Sequence, residues 1–320
     1  MSECLPKKRH DNPLVSLVVP VLNEEKALAS FFSGVNEVLG SLRLEIIFID
    51  DGSYDETFSC LQAYAEHDPR LVLIKLSRNF GKEAALTAGL DYAKGDVVIP
   101  VDVDLQDPID VILQFLEKWR VGYDVVHGIR ADRSEDSYTK RTSAHVFYKV
   151  FNHISDIRMS PHAGDFRLLD RSVVLALRTL PERVRFMKGL FSWVGFSSAE
   201  VKYRRCVRQT GDSKFGIVRL FRFACDGIFS FSSLPLRIWS FVGTLIAVPS
   251  LLFMVFIVVK TLLLGRDVPG YASLASIILF IGGIQLISLG FIGEYVGRIF
   301  TEVKQRPPYI IETLKMPDAS

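Results

Sequence analysis

Asp102 and Asp104, two residues apart where the apolar run Val97 to Val101 stops, are the residues of this chain best placed to do chemistry. In a strand alternate side chains share a face, so Asp102, Asp104 and Gln106 could offer oxygens to one hard cation. Magnesium or manganese held by one or two carboxylates usually completes its shell with substrate phosphates, so the spacing suggests a nucleoside diphosphate or triphosphate as ligand. A solvated acidic loop after a strand would show the same pattern, because Asp is an ordinary loop residue.

The elements that must position these carboxylates alternate in period. Strand-like runs at Val15 to Val19, Glu45 to Ile49, Leu71 to Leu76 and Val97 to Val101 are separated by helical ones at Glu24 to Leu39, Asp55 to Glu66 and Gly81 to Ala93. That βαβαβαβ order predicts an α/β fold with a mostly parallel sheet covered on both faces, and ligands at the carboxyl ends of the strands. Every polar cluster falls at such an end: Pro20, Asn23 and Glu24, then Asp50-Asp51-Gly52-Ser53, then Arg78 to Lys82, then Asp102 and Asp104. The acids can hydrogen-bond a nucleobase and ribose, while Arg78 and Lys82 can offset phosphate charge. The same residues have structural uses, with Ser53 or Asp55 as a helix N-cap and Asn23-Glu24 as another. After Asp107 the pattern predicts helices at Ile109 to Arg120 and Lys140 to Ile154, a strand at Asp124 to Gly128 and a loop at Arg130 to Ser137.

The 49% hydrophobic content excludes general disorder and is unevenly spread. Ile238 to Val259 and Ala272 to Gly293 are each 22 residues without a charge, long enough to cross about 30 Å of hydrocarbon, which predicts two membrane spans. The link between them, Lys260 to Tyr271, is short, and cations flank the outer ends at Arg237, Arg298, Lys304 and Arg306. Both ends and the bulk of the chain are therefore expected in the cytoplasm. Ile217 to Leu236 reads as amphipathic helix, lying at the membrane surface or packed on the soluble domain, and the basic cluster from Arg204 to Arg222 could meet anionic headgroups. A net charge of +2 gives no global case for nucleic acid. Cys4, Cys60, Cys206 and Cys225 lack C-x-x-C spacing, which argues against a zinc site and fits a reducing cytosol. The basic N-terminus has no apolar run beside it and is expected to be a frayed tail, not a signal peptide.

At this point the motifs are recognisable. VVPVLNEE (18–25), FIDDGSYDET (48–57), RNFGKE (78–83), VDVDLQDP (101–108), GDFRLLDR (164–171), FMKGLFSWVG (186–195), GDSKF (211–215), SFSSLPLRIW (230–239) and GGIQLISLGFIGEYVGRIF (282–300) stand in order over nearly the whole chain. The chain resembles the family 2, GT-A-fold glycosyltransferases that charge polyprenyl phosphates with a sugar. The nearer likeness is to the bactoprenol glucosyltransferases of phage and O-antigen modification clusters, with dolichyl-phosphate mannose synthases more distant. The resemblance implies a GT-A nucleotide-sugar domain over 14–205 after a tail at 1–13, then a juxtamembrane segment at 206–236, a two-helix transmembrane hairpin at 237–296 and a cytosolic tail at 297–320. It implies inverting transfer from UDP-glucose to undecaprenyl phosphate at the inner membrane, with Mg2+ or Mn2+, for O-antigen or envelope glycans. A homo-oligomer, a separate flippase and a downstream glycosyltransferase are expected with it.

Carried over residue by residue, Pro20, Asn23, Glu24, Asp50, Asp51 and Lys82 look like donor contacts, and Asp102, Asp104 and Gln106 like the metal and diphosphate site. Asp165 resembles the catalytic base, while Arg205, Arg208, Ser213 and Lys214 resemble a phosphate-binding segment. The His162-Ala163 pair departs from the Ser or Val expected before Gly164. A phosphate monoester has its second pKa near about 6, so the acceptor is already mostly dianionic and Asp165 could orient instead of deprotonating. It could also be a cap paired with Arg167 or Arg171. Arg130 and Arg141, the latter beside Lys140, could hold the acceptor phosphate or be solvated helix charges. Gly282, Gly283, Gly290 and Gly293 would permit close helix packing. A processive polysaccharide synthase would need a Q-x-x-R-W motif and more spans. A non-enzymatic nucleotide-sugar sensor would need a broken metal site. Mannose, galactose and an aminoarabinose derivative are the alternatives to glucose.

Overall fold

The computed structural model describes residues 9, 11–131, 163–183, 185–204 and 270–317, with scattered positions between 241 and 263. Four strands, β1 (Leu14–Val21), β2 (Arg43–Asp50), β3 (Leu71–Leu76) and β4 (Val97–Pro100), alternate with α1 (Leu28–Leu39), α2 (Thr57–Ala65) and α3 (Lys82–Tyr92). Then come α4 (Val111–Arg120), β5 (Val125–Arg130), β6 (Ala163–Asp170), α5 (Arg171–Thr179), α6 (Met187–Trp193), β7 (Ser198–Tyr203), α7 (Tyr271–Lys304) and β8 (Ile311–Lys315). The eight strands form one sheet in the order β7-β5-β6-β4-β1-β2-β3-β8. β1 pairs in parallel with both β2 and β4, β2 with β3, and β5 with β7. The mostly parallel α/β sheet is thus as the alternating periods predict.

Burial explains why the central strands are apolar runs without alternation. Seven of the eight β2 residues are buried, Ile46 and Phe48 in the core beneath α1, α2 and α4, Ile47 and Ile49 in the core beneath α3, α5 and α6. A parallel sheet covered on both faces requires this. Phe31 of α1 meets Phe48 edge-to-face at 5.5 Å between ring centroids. One polar node lies inside. Glu45 accepts from Ser16 Oγ at 2.5 Å and from Lys94 N at 2.9 Å, and Ser16 Oγ accepts from Gly95 N at 2.8 Å, so these buried groups are satisfied.

The order β3-β2-β1-β4 places the topological reversal between β1 and β4, and a crevice opens at the carboxyl ends beside such a reversal. β6 runs antiparallel to β4, with Val97 opposite Asp170 and Val98 opposite Leu169. Its first residues therefore come to the same edge, which is how Asp165, far away in sequence, reaches the crevice.

Two expectations need correction, and a third is met in part. The C-terminal segment is not a separate tail from 297: α7 continues to Lys304, and β8 joins the sheet antiparallel to β3, with Ile74 opposite Leu314. Arg9 is not frayed. Its guanidinium meets Asp124 at 2.7 Å and Asp170 at 3.0 Å, and it lies 4.7 Å from the centroid of the Trp119 ring. Of the two expected membrane spans, only the second is described as a continuous long helix. α7 has 34 residues, about 51 Å at 1.5 Å each, and within Phe280–Lys304 an 18-residue window has a mean hydropathy of 1.4 with none of it buried. Described positions between 241 and 263 are helical, and the remainder of the first span lies outside the described residues, as do the helix expected at Lys140 to Ile154 and the surface helix at 217–236.

Candidate active site

The loops after β1 and β2 are laced together. Asn23, with φ +54°, donates its backbone N–H to Ser53 Oγ at 2.9 Å and accepts at Oδ1 from Tyr54 N at 3.0 Å, and Glu24 N donates to Thr57 Oγ1 at 2.9 Å. Thr57 N in turn donates to Asp55 Oδ1 at 3.0 Å, but the N-cap position of α2 is Glu56, which makes no side-chain cap bond, so neither Ser53 nor Asp55 is the N-cap. Asn23 and the Glu24 backbone therefore hold the crevice wall together, and Pro20 ends the same wall at the edge of β1. Gly52, with φ +76°, lies so close to the next loop that a Cβ there would stand 2.7 Å from Arg78 C and Asn79 N. Only glycine allows that approach.

The approach has a chemical result. Asp51, 4% exposed, accepts from Phe80 N at 2.7 Å and from Gly81 N at 2.9 Å, so both carboxylate oxygens hold the loop leading into α3. Asp50 differs. One oxygen accepts from Ser53 N at 3.1 Å, while Oδ2 is buried without a hydrogen-bond partner among the described residues. Burial pushes both carboxyls above their ordinary value, against the amides that bind them. A buried acceptor at this edge suits an N–H of a nucleobase. Of the two neighbouring acids, Asp50 has the open valence and Asp51 the structural duty.

The strand ends at Pro100, so Asp102 and Asp104 stand on a turn just beyond the fourth strand, at the carboxyl end where their cluster was expected. The alternation nevertheless persists: Val101 and Val103 are buried, Asp102 and Asp104 half-exposed. It breaks at Leu105, whose φ is +52°, and Gln106 turns inward to 8% exposure while its backbone N–H donates to Asp104 Oδ1 at 3.2 Å. The Gln106 side chain does not share the exposed side with the two acids. Among the described residues no cluster of three or more His, Cys, Asp or Glu could hold a metal. Two half-exposed carboxylates still fit a hard cation that takes its other oxygens from a diphosphate.

Beside them lies a charge cluster. Lys82 Nζ is 2.6 Å from Asp102 Oδ1 and 3.5 Å from Asp165 Oδ2, and Lys188 Nζ is 3.4 Å from Asp165 Oδ1. Desolvation alone would raise the Asp165 carboxyl, but Lys188, Lys82 and Arg167 outweigh it and hold the group well below the usual carboxylate range. Desolvation likewise opposes the charge on Lys82, and Asp102 and Asp165 override it and raise its pKa. Arg167, 2% exposed, lies with its guanidinium 4.2 Å from the Phe191 ring centroid. An acid held this firmly ionised is a weak proton acceptor and a strong organiser of cations.

Arg130 ends β5, and its side chain bonds Tyr203, whose hydroxyl donates to Asp107 Oδ1 at 2.7 Å. Arg141, Arg205, Arg208, Ser213 and Lys214 lie outside the described residues. Two residues at the centre were not foreseen, Glu83 and Lys188, although both stand in the quoted motifs RNFGKE and FMKGLFSWVG. The signal for Lys188 was a charge inside the apolar run Phe186 to Phe191, and for Glu83 an acid in the first turn of α3.

Sequence comparisons agree on one family. Residues 16–177 match the profile of Glycosyl transferase family 2. A glycosyltransferase of Synechocystis sp. is 49% identical over 302 residues, covering 94% of this chain and 95% of that protein. The SfII prophage-derived bactoprenol glucosyl transferase of Shigella flexneri is 50% identical over 300 residues, 93% of this chain and 97% of its own. Among solved structures, a mannosyltransferase from Pyrobaculum calidifontis in complex with GDP-Man and Mn2+ is 16% identical, with a TM-score of 0.49, covering 95% of this chain and 89% of that one.

Proposed function

Because the chain belongs to glycosyl transferase family 2 and is a glycosyltransferase, we propose that it transfers glucose from UDP-glucose to undecaprenyl phosphate at the cytoplasmic face of a bacterial inner membrane, with inversion at the anomeric carbon. The observation that carries the acceptor class is the extent of likeness to the Shigella bactoprenol glucosyl transferase. With 93% of the chain aligned, most of the 34-residue α7 falls within the match, so the relationship covers the membrane segment as well as the nucleotide-sugar end.

In this reading Asp50 Oδ2 accepts the N–H of the base, and Asp102 and Asp104 would hold Mg2+ or Mn2+, which would supply electrostatic stabilisation of the charge developing on the leaving group. Lys82, already beside Asp102, stands where the diphosphate departs. Asp165 takes no proton, since the acceptor phosphate is dianionic at neutral pH with a second pKa near about 6. It holds Lys82 and Lys188 where two anions, one leaving and one entering, must approach. α7 keeps the cleft near the headgroups, where the lipid phosphate lies. Gly282, Gly290 and Gly293, open to a neighbour within the membrane, favour a homo-oligomer, and a lipid-linked sugar made on the inner face requires a flippase and a second transferase to use it.

The test is transfer of radiolabelled sugar from a panel of UDP- and GDP-sugars to undecaprenyl phosphate in detergent, with the anomeric configuration of the product read by NMR. Labelling from UDP-glucose with inversion supports the proposal. Preference for a GDP-sugar, or retention, contradicts it.

A further inference from the structure

Glu83 has no part in the reading above, yet it lies at the centre of the cluster. It stands in the first turn of α3, directly after Lys82. Its Oε2 accepts from Met187 N at 3.2 Å, across 104 residues of chain. Met187 is the first residue of α6, and α6 receives no side-chain cap from its own N-cap residue, Phe186. The opening amides of a helix have no partner within it, so Glu83 supplies from another helix a bond that α6 itself lacks. The next residue is Lys188.

The geometry makes two rungs between the same two helices. One joins Glu83 to Met187. The other runs from Lys82 through Asp165 to Lys188, at 3.5 Å and 3.4 Å, each ammonium on a different oxygen of Asp165. α3 and α6 border one hydrophobic core through later residues, and at their first turns the two rungs set the spacing of the two lysines. We propose that Glu83 is a positioning residue of the transfer reaction: by capping the first amide of α6 it sets Lys188 opposite Lys82, so that the two ammonium groups clasp Asp165. This deepens the sugar-transfer reading and rests on it.

The charged groups facing Glu83 are Lys82 on its own helix, Asp165 on β6 and Lys188 on α6. Burial first, and then the Asp165 charge, push its carboxyl up to about 7, against the Met187 amide and the two lysines. Around neutral pH the group therefore passes from acid to carboxylate. Once ionised it competes with Asp165 for the same two cations, so the clasp is tightest below about pH 7 and loosens above it.

The experiment measures kcat and KM across pH 6 to 9 for wild type, Glu83→Ala and Glu83→Gln, with UDP affinity and thermal midpoint on the same preparations. In parallel, acetylation of Lys188 by a small acylating reagent is followed by mass spectrometry. Displacement of a positioned group by about 1 Å can cost roughly 100-fold in rate, so Glu83→Ala is expected to lose about 10- to 100-fold in kcat with UDP affinity unchanged. Glu83→Gln keeps an acceptor for the Met187 amide without the charge. It should rescue most of that loss and lack the inflection near pH 7 that wild type shows. Lys188 should acetylate several-fold faster in Glu83→Ala than in wild type. Wild-type kcat in Glu83→Ala, no rescue by Glu83→Gln, or unchanged Lys188 labelling overturns the proposal. A wild type inert toward polyprenyl phosphate faults the transfer reading instead, and the labelling still decides the positioning claim.

Discussion

Replacing Arg9 by alanine should unfold this protein far more easily than a change in an N-terminal tail has reason to. The Arg9 side chain is 4% exposed and bridges Asp124, 11% exposed, and Asp170, 16% exposed. It also donates to Gly122 O at 3.3 Å and lies against Trp119. Asp170 is itself a hub: one oxygen caps α5 through Ser172 N at 2.9 Å, while the other accepts from Arg9 and from Trp119 Nε1 at 2.8 Å. Removing the cation leaves two largely buried carboxylates side by side, and breaking a buried pair in this way costs about 3–5 kcal/mol. At about 2–4 °C per kcal/mol for a chain of this size, the midpoint should fall by roughly 6–20 °C. The assay is urea and thermal unfolding of the detergent-solubilised full chain by circular dichroism, beside Arg9→Lys, which keeps the charge without the two-pronged fork and should lie between. A loss below about 1 kcal/mol, the usual worth of a surface ion pair, would refute the reasoning.

Two further outcomes follow from particular contacts. His127 is held neutral, its pKa lowered to about 4 by burial and by the Arg167 charge. Its unfolded value lies near about 6.5, so the unfolded chain binds the extra proton first, and stability should fall as pH drops from about 6.5 toward 4. His127→Gln should flatten that limb of a urea-midpoint series against pH, and an unchanged slope assigns the acid lability elsewhere. Gly95→Ala would place a Cβ 2.5 Å from Ser16 Oγ and 2.7 Å from Leu14 O, where backbone cannot yield. The expected result is a loss of about 1–3 kcal/mol or more, measured by urea unfolding. Wild-type stability would show that the strand edge there is softer than its hydrogen bonds imply.

What could be read from the sequence was local, and what could not was a matter of distant partners. β1 to β4 show as apolar runs because both faces of each strand are covered, and the helices between them show as a change of period. The side-by-side exposure of Asp102 and Asp104 was legible for the same reason. Gln106 was not, because the reversal depends on the left-handed backbone of Leu105, and leucine gives no sign of it. β8 is five residues of alternating exposure at a sheet edge, and only its pairing with β3, well over 200 residues earlier, makes it a strand. Arg9 reads as one of several N-terminal cations, since nothing nearby in sequence announces Asp124 or Asp170. Asp50 and Asp51 look equivalent in the chain. The glycine that follows them brings in the β3–α3 loop, which binds one and leaves the other open.

The claim that joins these observations is that Asp102 and Asp104 hold a cation at the cleft where sugar leaves for a lipid phosphate. The direct measurement is transfer of label from UDP-glucose to undecaprenyl phosphate, with and without EDTA, by wild type and Asp104→Ala. The account predicts lipid labelling by wild type that the chelator abolishes, that excess Mg2+ or Mn2+ restores, and that falls at least about 100-fold in the variant. Labelling that persists in EDTA, or an Asp104→Ala protein as active as wild type, would contradict it.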